Sequence, residues 1–296
     1  MKKTILFIFS LFICAGLSAQ LKGVKHVVFI GADGLGSFIL KEHQGSFPHL
    51  EKLMKEGASS LEMRSVLPSS SAVNWASILM GAGPELHGFN DWGSQTPDLP
   101  SRELNQYGMF PGVFGLIRDK YPQAQTGIFY SWSGIGYLFE KEAVNINRDL
   151  PGKDREVVRE SIDFLNQKKP LFSFIYFAQP DGKGHGHGWG SPEYTEECKK
   201  IDSYVGEIIQ AIEDNGMAQN TIVIFISDHG GIEKGHGGKT MQEMQVPYII
   251  WGKNVKAGHK IQESLMVYDN AATIAYILGL KQPQVWIGRP VKSAFK

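Results

Sequence analysis

Aspartate and histidine gather at four places in this chain, each inside a glycine-rich turn: Asp33 in GADG, Asp181 and His185 in QPDGKGHGHG, Asp228 and His229 in SDHGG, and His236 in KGHGG. Taken singly, each is weak. An Asp-Gly after a strand is ordinarily a turn, and a lone Asp-His or GHGHG is ordinarily a solvated loop. Taken together, these six residues can supply three ligands to each of two metal ions. Mixed carboxylate and imidazole donors favour divalent transition metals, zinc first, with manganese or iron behind it. The glycines let the backbone bend sharply and come close to a ligand.

Two metals held near each other need a reacting group between them. The candidate is Ser71, in LPSSSAVNWASILMG. A serine hydroxyl is a weak nucleophile at neutral pH, and metal coordination lowers its pKa enough to make it competent. Ser71 also stands just before a predicted helix, and the free N–H groups of a helix N-terminus suit phosphate. Its neighbours Ser69 and Ser70 read as a helix cap or as loop residues.

These side chains need a frame. Apolar runs at residues 25–30 (KHVVFI), 171–177 (LFSFIYF), 221–227 (TIVIFIS) and 246–251 read as buried strands, with a further strand at 126–130. Helical patterns fall at 48–56, 72–80, 113–121, 154–167, 192–215 and 271–278, the last capped by Asp269. Residues 89–107 are loop-like. Strands alternating with helices predict an α/β fold: a mostly parallel central sheet with helices on both faces. In such sheets ligands bind beyond the carboxyl ends of the strands, where three of the motifs lie. In the long helix Cys198 shares an apolar stripe with Ile201, Val205 and Ile208, so it reads as a packing residue and not a nucleophile.

The chain has 296 residues, 42% of them hydrophobic, which suits one large catalytic domain over residues 20–296. Lysine plus arginine and aspartate plus glutamate both number 30, so neither a long nucleic acid nor an anionic membrane surface is expected as the main partner. Residues 1–19 read as a signal peptide: Lys2 and Lys3, an apolar run, then small residues before a cut after Ala19. This predicts a periplasmic or secreted protein with no stable membrane insertion once the segment is removed. The alternatives are an uncleaved anchor, a buried first helix, or a lipoprotein through Cys14, which Ile13 disfavours. With the segment gone, Cys198 is the one cysteine left and no internal disulfide forms.

The pattern resembles the alkaline phosphatase superfamily, in particular its nucleotide pyrophosphatase and type I phosphodiesterase branch. The matches are Pro68, Ser71 and Asn74, then Pro84, Glu85, His87 and Gly88; Pro180, Asp181, Gly184 and His185; and Ser227, Asp228, His229 and Gly230. The resemblance implies an alkaline phosphatase-like fold and a hydrolase of phosphodiesters or nucleotide pyrophosphates. It places Asp181, His185 and His236 on one metal, and Asp33, Asp228, His229 and Ser71 on the other. It makes Ser71 the residue that carries a phosphoseryl intermediate, and Asn74 a donor to a phosphate oxygen.

The chain departs from that pattern in having serine where the branch commonly has threonine, Val73 for a frequent proline, and a short overall length. A sulfatase of the same superfamily would need Pro and Arg where Val73 and Trp75 stand. A phosphomonoesterase would need groups that clamp a dianion, for which no convincing match is present. A non-catalytic secreted binding protein on the same fold is the alternative from another class. Trp75 and His187 are candidate substrate contacts, and Trp92, Tyr130, Trp132 and Trp189 flank the motifs as stacking or packing residues. His87 reads as packing near a helix end. Substrate choice is expected to lie in residues 89–110 and 131–148. The expected partner is a small-molecule phosphate ester.

Overall fold

The apolar run after Lys25 becomes strand β1 (His26–Asp33), which continues past Ile30 to deliver Asp33 at its end. The computed structural model describes residues 20–296, so the expected signal peptide lies outside them. After β1 come α1 (Ser37–Glu42), α2 (Pro48–Glu56), β2 (Ala58–Arg64), α3 (Ser71–Met80), α4 (Pro84–His87) and α5 (Val113–Lys120). Then follow β3 (Thr126–Tyr130), β4 (Ile146–Asp149), α6 (Asp154–Lys168), β5 (Phe172–Pro180), α7 (Asp181–His187) and α8 (Pro192–Asp214). The chain closes with β6 (Thr221–Ser227), α9 (Met241–Met244), β7 (Gln245–Gly252), β8 (His259–Lys260) and α10 (Asp269–Leu278).

The strands form one eight-stranded sheet in the order β4-β3-β5-β1-β6-β7-β2-β8. From β4 to β6 every neighbouring pair is parallel; β7 runs antiparallel to both β6 and β2. The sheet is therefore mostly parallel, as expected, with one reversed strand. Side chains alternate across it. Val27 and Phe29 join the core under α3, α5 and α10, while Val28, Ile30 and Ala32 join the core under α2, α6 and α8. Both faces are thus covered, which is why β1, β5 and β6 are apolar runs and not alternating ones. Cys198 is buried in the second core, and burial pushes its thiol far up, consistent with packing.

Three sequence expectations need adjustment. Strand β2 (ASSLEMR) and edge strand β4 (INRD) have too few apolar residues to register as strands. The DGKGHGH stretch is helix α7 and not an extended loop, although each glycine costs a helix interior roughly 1 kcal/mol. Asp269 sits in the first turn of α10, and Tyr268 takes the cap position. The Asp269 carboxylate instead accepts the backbone N–H groups of Met266 and Arg289, both at 2.8 Å.

Candidate metal centre and nucleophile

Strands β1, β5 and β6 are neighbours with parallel register, so their carboxyl ends bring Asp33, Asp181 and Asp228 to one edge of the sheet. Close approach requires Gly34, which has φ +72°; a Cβ there would lie 2.9 Å from the Asp181 backbone. The Gly34 N–H donates to Asp228 Oδ1 at 3.1 Å, and the Leu35 N–H donates to Ser227 Oγ at 2.8 Å. The turn after β1 is therefore tied to the end of β6.

Asp33, Asp228 and His229 form one group of metal-capable donors, and Asp181, His185 and His236 form another. In the first group His229 Nε2 lies 3.3 Å from Asp33 Oδ1, 3.3 Å from Asp228 Oδ2 and 3.2 Å from Ser71 Oγ. Ser71 Oγ is 3.3 Å from Asp33 Oδ1. Donors about 2.0 Å from a common tetrahedral centre stand about 3.3 Å apart, so these spacings match the edges of such a set. In the second group His185 Nε2 and His236 Nε2 are each 3.6 Å from Asp181 Oδ1; the two histidines approach from α7, one turn beyond Asp181, and from the loop after β6.

The donor chemistry fits divalent cations on two further counts. Asp181 Oδ1 and Asp228 Oδ2 are buried without a hydrogen-bond partner, which is costly unless a cation meets them. All three histidines are also oriented the same way: Nδ1 faces a backbone carbonyl, that of Gly230 for His229 at 2.7 Å, Lys234 for His185 at 3.0 Å and Ser69 for His236 at 2.9 Å. A carbonyl fixes the proton on Nδ1 and leaves the Nε2 lone pair aimed inward, the arrangement metal-binding histidines adopt.

The electrostatics agree. Burial, then the Asp33 charge, pushes Asp181 up to about 6 and holds Asp228 well above the carboxylate range. Burial also works on Asp33, but hydrogen bonds from His229, Tyr176 and Trp75 outweigh it and bring its pKa below the ordinary value. Burial disfavours a charged His229, yet Asp228, then Asp33 and Asp181, lift it to about 10. Three carboxylates converge on a space that demands positive charge.

Ser71 opens α3 and lines a cavity of about 750 Å³ together with Asp33, Asp181, His185 and His236. The expected roles of its neighbours change. Asn74 is fully buried and does not line the cavity. Its Oδ1 accepts from Val66 N–H at 2.7 Å, and its Nδ2 donates to Pro68 and Ser70 carbonyls at 3.1 and 3.0 Å. The amide is thus consumed in holding the serine loop and is not aimed at a phosphate oxygen. Ser70 occupies the cap position of α3 but makes no side-chain cap bond. Its Oγ is buried and unpartnered, and the residue lines the cavity. Ser69 donates to the Gly238 carbonyl at 2.6 Å, a loop role. Of the helix N–H groups, that of Ala72 is taken by the Trp92 carbonyl at 3.2 Å.

Trp75 is not a substrate contact either. Fully buried, it lies against β1 where Gly31 leaves room: a Cβ on Gly31 would fall 2.4 Å from the indole. Its Nε1–H donates to Asp33 Oδ2 at 2.9 Å, and the Tyr176 hydroxyl donates to the same oxygen. Oδ2 is thereby occupied and Oδ1 is left for the metal side. Tyr176 was missed in sequence because LFSFIYF reads as core throughout. His187 does not line the cavity, and its Nδ1 lies 3.7 Å from Glu193. Trp189 packs behind the metal-facing histidines and donates to the Gly34 carbonyl at 2.9 Å. Tyr130 is core, while Trp92 and Trp132 do line the cavity. His87 is buried as expected, between Ser77 and Phe89.

The sheet order and the paired Asp/His clusters at its carboxyl edge define an α/β domain of alkaline phosphatase type. A family model described as type I phosphodiesterase / nucleotide pyrophosphatase matches residues 27–234, and the chain belongs to that family. It is 28% identical over 209 residues to ectonucleotide pyrophosphatase/phosphodiesterase family member 1 of Rattus norvegicus, covering 67% of this chain and 23% of that protein. It is 25% identical over 219 residues to a bis(5'-adenosyl)-triphosphatase of Homo sapiens, covering 69% of this chain and 47% of the relative. The chain thus spans less than half the length of these relatives. In fold it is similar to an inactive variant of murine ectonucleotide pyrophosphatase/phosphodiesterase 5 in complex with AMP, with TM-score 0.76 at 14% identity over 92% of this chain and 100% of that one. A 2-O GAG sulfatase is similar at TM-score 0.75 and 13% identity, over 92% of this chain and 74% of that one.

Proposed function

We propose that this chain is an exported, two-metal hydrolase of small phosphodiesters, with Ser71 as its nucleophile. The observation that carries the reading is the position of Ser71 Oγ, at hydrogen-bond distance from both Asp33 Oδ1 and His229 Nε2 at the floor of the cavity. Asp33, Asp228, His229 and Ser71 would hold one ion, and Asp181, His185 and His236 the other; zinc suits this donor set. The ions, when bound, supply charge neutralisation and lower the pKa of oxygen nucleophiles.

The chain's own residues do the rest. Ser71 Oγ bonds to phosphorus as the bond to the leaving oxygen breaks, its proton passing through solvent to that oxygen to release the alcohol and leave a phosphoseryl intermediate. The Ser70 hydroxyl, with no other partner, donates to a non-bridging phosphoryl oxygen in place of Asn74, an arrangement that stabilises developing charge. Asn74 keeps the turn before α3 closed so that Ser70 and Ser71 face the cavity together. Water then attacks phosphorus, the Oγ–P bond breaks, and Ser71 regains its proton. Phosphodiester plus water becomes phosphomonoester plus alcohol.

The test uses zinc-loaded protein and three nitrophenyl esters: a phosphodiester, a phosphate monoester and a sulfate. The diester is expected to be cleaved best, and Ser71→Ala to lose at least about a thousandfold in kcat with the fold intact. A chiral diester should show net retention at phosphorus, since two displacements each invert it. Near-normal turnover in Ser71→Ala, or net inversion, would overturn the nucleophile assignment; sulfate preference would overturn the substrate class.

A further inference from the structure

Of the metal-facing donors, His236 lies farthest along the chain from a helix or strand. It stands between β6 and α9 in GGIEKGHGGKT, residues 230–240, with glycine at 230, 231, 235, 237 and 238. Glycine gives the backbone more conformational freedom than any other residue, so this loop does not fix a side chain by its own sequence. The hold on His236 comes from outside it.

His236 Nδ1 faces the Ser69 carbonyl at 2.9 Å, which leaves Nε2 toward Asp181. The Ser69 hydroxyl donates to the Gly238 carbonyl at 2.6 Å, and the Gly238 N–H donates to Glu243 Oε1 at 2.8 Å. Ser69 and Glu243 therefore grip both backbone groups of Gly238, two residues beyond the histidine. Glu243 Oε2 accepts the Thr240 N–H at 3.1 Å and the Thr240 hydroxyl at 2.6 Å, and Thr240 Oγ1 accepts the Glu243 N–H at 3.3 Å. That reciprocal pair is a capping box for α9. The helix is anchored in turn: the Met244 carbonyl accepts the Ser65 N–H at 2.9 Å and the Ser65 hydroxyl at 3.0 Å, and β7 follows directly.

A capping box uses one carboxylate oxygen, and Glu243 uses two. It is 6% exposed, and burying a charge is costly unless hydrogen bonds meet it. One oxygen serves the cap and the other serves the loop. The loop contact is close: a Cβ on Gly238 would fall 2.6 Å from Oε1. The Glu243 main chain has a separate task. Its carbonyl accepts the Gly230 N–H at 2.7 Å, on the residue whose own carbonyl His229 Nδ1 faces. The side chain thus reaches toward the outer cluster and the main chain toward the inner one.

We propose that Glu243 is a positioning residue for His236: through Gly238 and Ser69, its carboxylate holds the imidazole at the cluster it forms with Asp181 and His185. This rests on the two-metal reading above and adds to it a residue that is not itself a metal-facing donor.

The experiment measures zinc affinity by chelator competition on the full chain, with His236→Ala marking which class of site is the outer one. Glu243→Gln keeps the volume but offers one acceptor oxygen to donors that face two, so an amide NH2 meets an N–H. It is expected to weaken the outer class about tenfold to a hundredfold and to leave the inner class within about twofold, because the Glu243 carbonyl is kept. Thr240→Ala is the control for a merely structural role. It removes the cap hydroxyl and not the Gly238 contact, so the melting temperature should fall by about 2–4 °C with both zinc classes within about twofold. Gly238→Ala breaks the same contact from the loop side with α9 whole, and it decides the matter if Glu243→Gln does not fold. Ser69→Ala removes the next link. Combined with Glu243→Gln it should weaken the outer class no more than the stronger single change, the signature of one shared route. Unchanged outer-class affinity in Glu243→Gln or Gly238→Ala, equal weakening of both classes, a Thr240→Ala effect on zinc as large as that of Glu243→Gln, or additive losses with Ser69→Ala would each overturn the positioning role and leave the two-metal reading in place. A native chain that takes up no zinc would overturn the two-metal reading and the positioning role with it.

Discussion

The two clusters of metal-facing donors are built from the same residue types on different supports. Asp33, Asp228 and His229 are buried at the ends of the central strands, and their backbone is bonded across the sheet edge. Asp181, His185 and His236 come from a glycine-rich helix and a loop, and the His185 side chain is 48% exposed. The inner cluster also has Trp75 and Tyr176 behind Asp33; among the described residues the outer Asp181 has no side-chain donor on its free oxygen. The difference implies a division of labour. The inner cluster is held in place by the sheet edge and its hydrogen bonds, and under the proposed function it would position Ser71. The outer cluster reaches solvent through His185, and under the proposed function it would be the side through which ligands exchange.

Removing one histidine from each cluster gives the largest contrast. His229→Ala leaves Asp33 and Asp228 buried without their shared partner and should cost about 3 kcal/mol or more. His185→Ala should cost less, about 1 kcal/mol, because the His185 side chain is half exposed and its loss leaves one carboxylate oxygen rather than two carboxylates without that partner. Zinc titration with thermal melting separates the two, and equal losses would erase the proposed asymmetry. Tyr176→Phe and Trp75→Phe act one layer back. Each should weaken metal binding at the inner cluster about tenfold to a hundredfold, with the outer cluster unchanged. Chelator competition reads both affinities, and parallel weakening would make the two residues merely structural.

Ser70→Ala should lower kcat by about tenfold to a hundredfold with KM within about threefold, the signature of a contact made as charge develops. Asn74→Ala should instead show itself in stability, by about 2 kcal/mol, because four backbone groups, Val66 N–H and the Val66, Pro68 and Ser70 carbonyls, lose a partner. If the two phenotypes are exchanged, Asn74 and not Ser70 meets the phosphate.

His87 supplies the smallest and most specific test, as a buried histidine outside both clusters. Its Nδ1 accepts the Phe89 N–H at 3.1 Å, so its proton lies on Nε2, toward Ser77 Oγ at 2.9 Å. The metal-facing histidines have the reverse tautomer. Burial lowers the His87 pKa from 6.5 to about 3. The folded state therefore binds fewer protons than the unfolded one in between. The stability that neutral His87 contributes is complete above pH 6.5 and declines as the pH falls from 6.5 toward 3. Denaturant melts of His87→Gln should lack that slope, and an unchanged acid limb would assign it elsewhere.

Much of this was legible in the sequence. Apolar runs of consistent length gave the inner strands, and Asp or His directly after them marked the sheet edge, because both features are local and chemically distinct. What escaped depends on direction. Asn74 and Trp75 stand close to Ser71 in sequence, but α3 turns both inward, one onto the preceding loop and the other onto Asp33. Ser71 was singled out by its motif and its place before the helix, whereas the unpartnered hydroxyl of Ser70, read in sequence as a cap or loop residue, shows only in the structure. The glycines of α7 argued for a loop, while the four-residue spacing of Asp181 and His185 was the signal of a helical turn that places both on one face.

The hydrogen bond from the Ala72 N–H to the Trp92 carbonyl has a practical consequence for redesign. The segment that carries Trp92 at the cavity is fastened to the residue immediately after Ser71. Exchanging that segment for one from a relative would transplant a binding surface and a hinge at once. Altered selectivity obtained by such grafts should come with altered turnover, whereas single side-chain changes at Trp92 leave the backbone fastening in place and can shift one without the other.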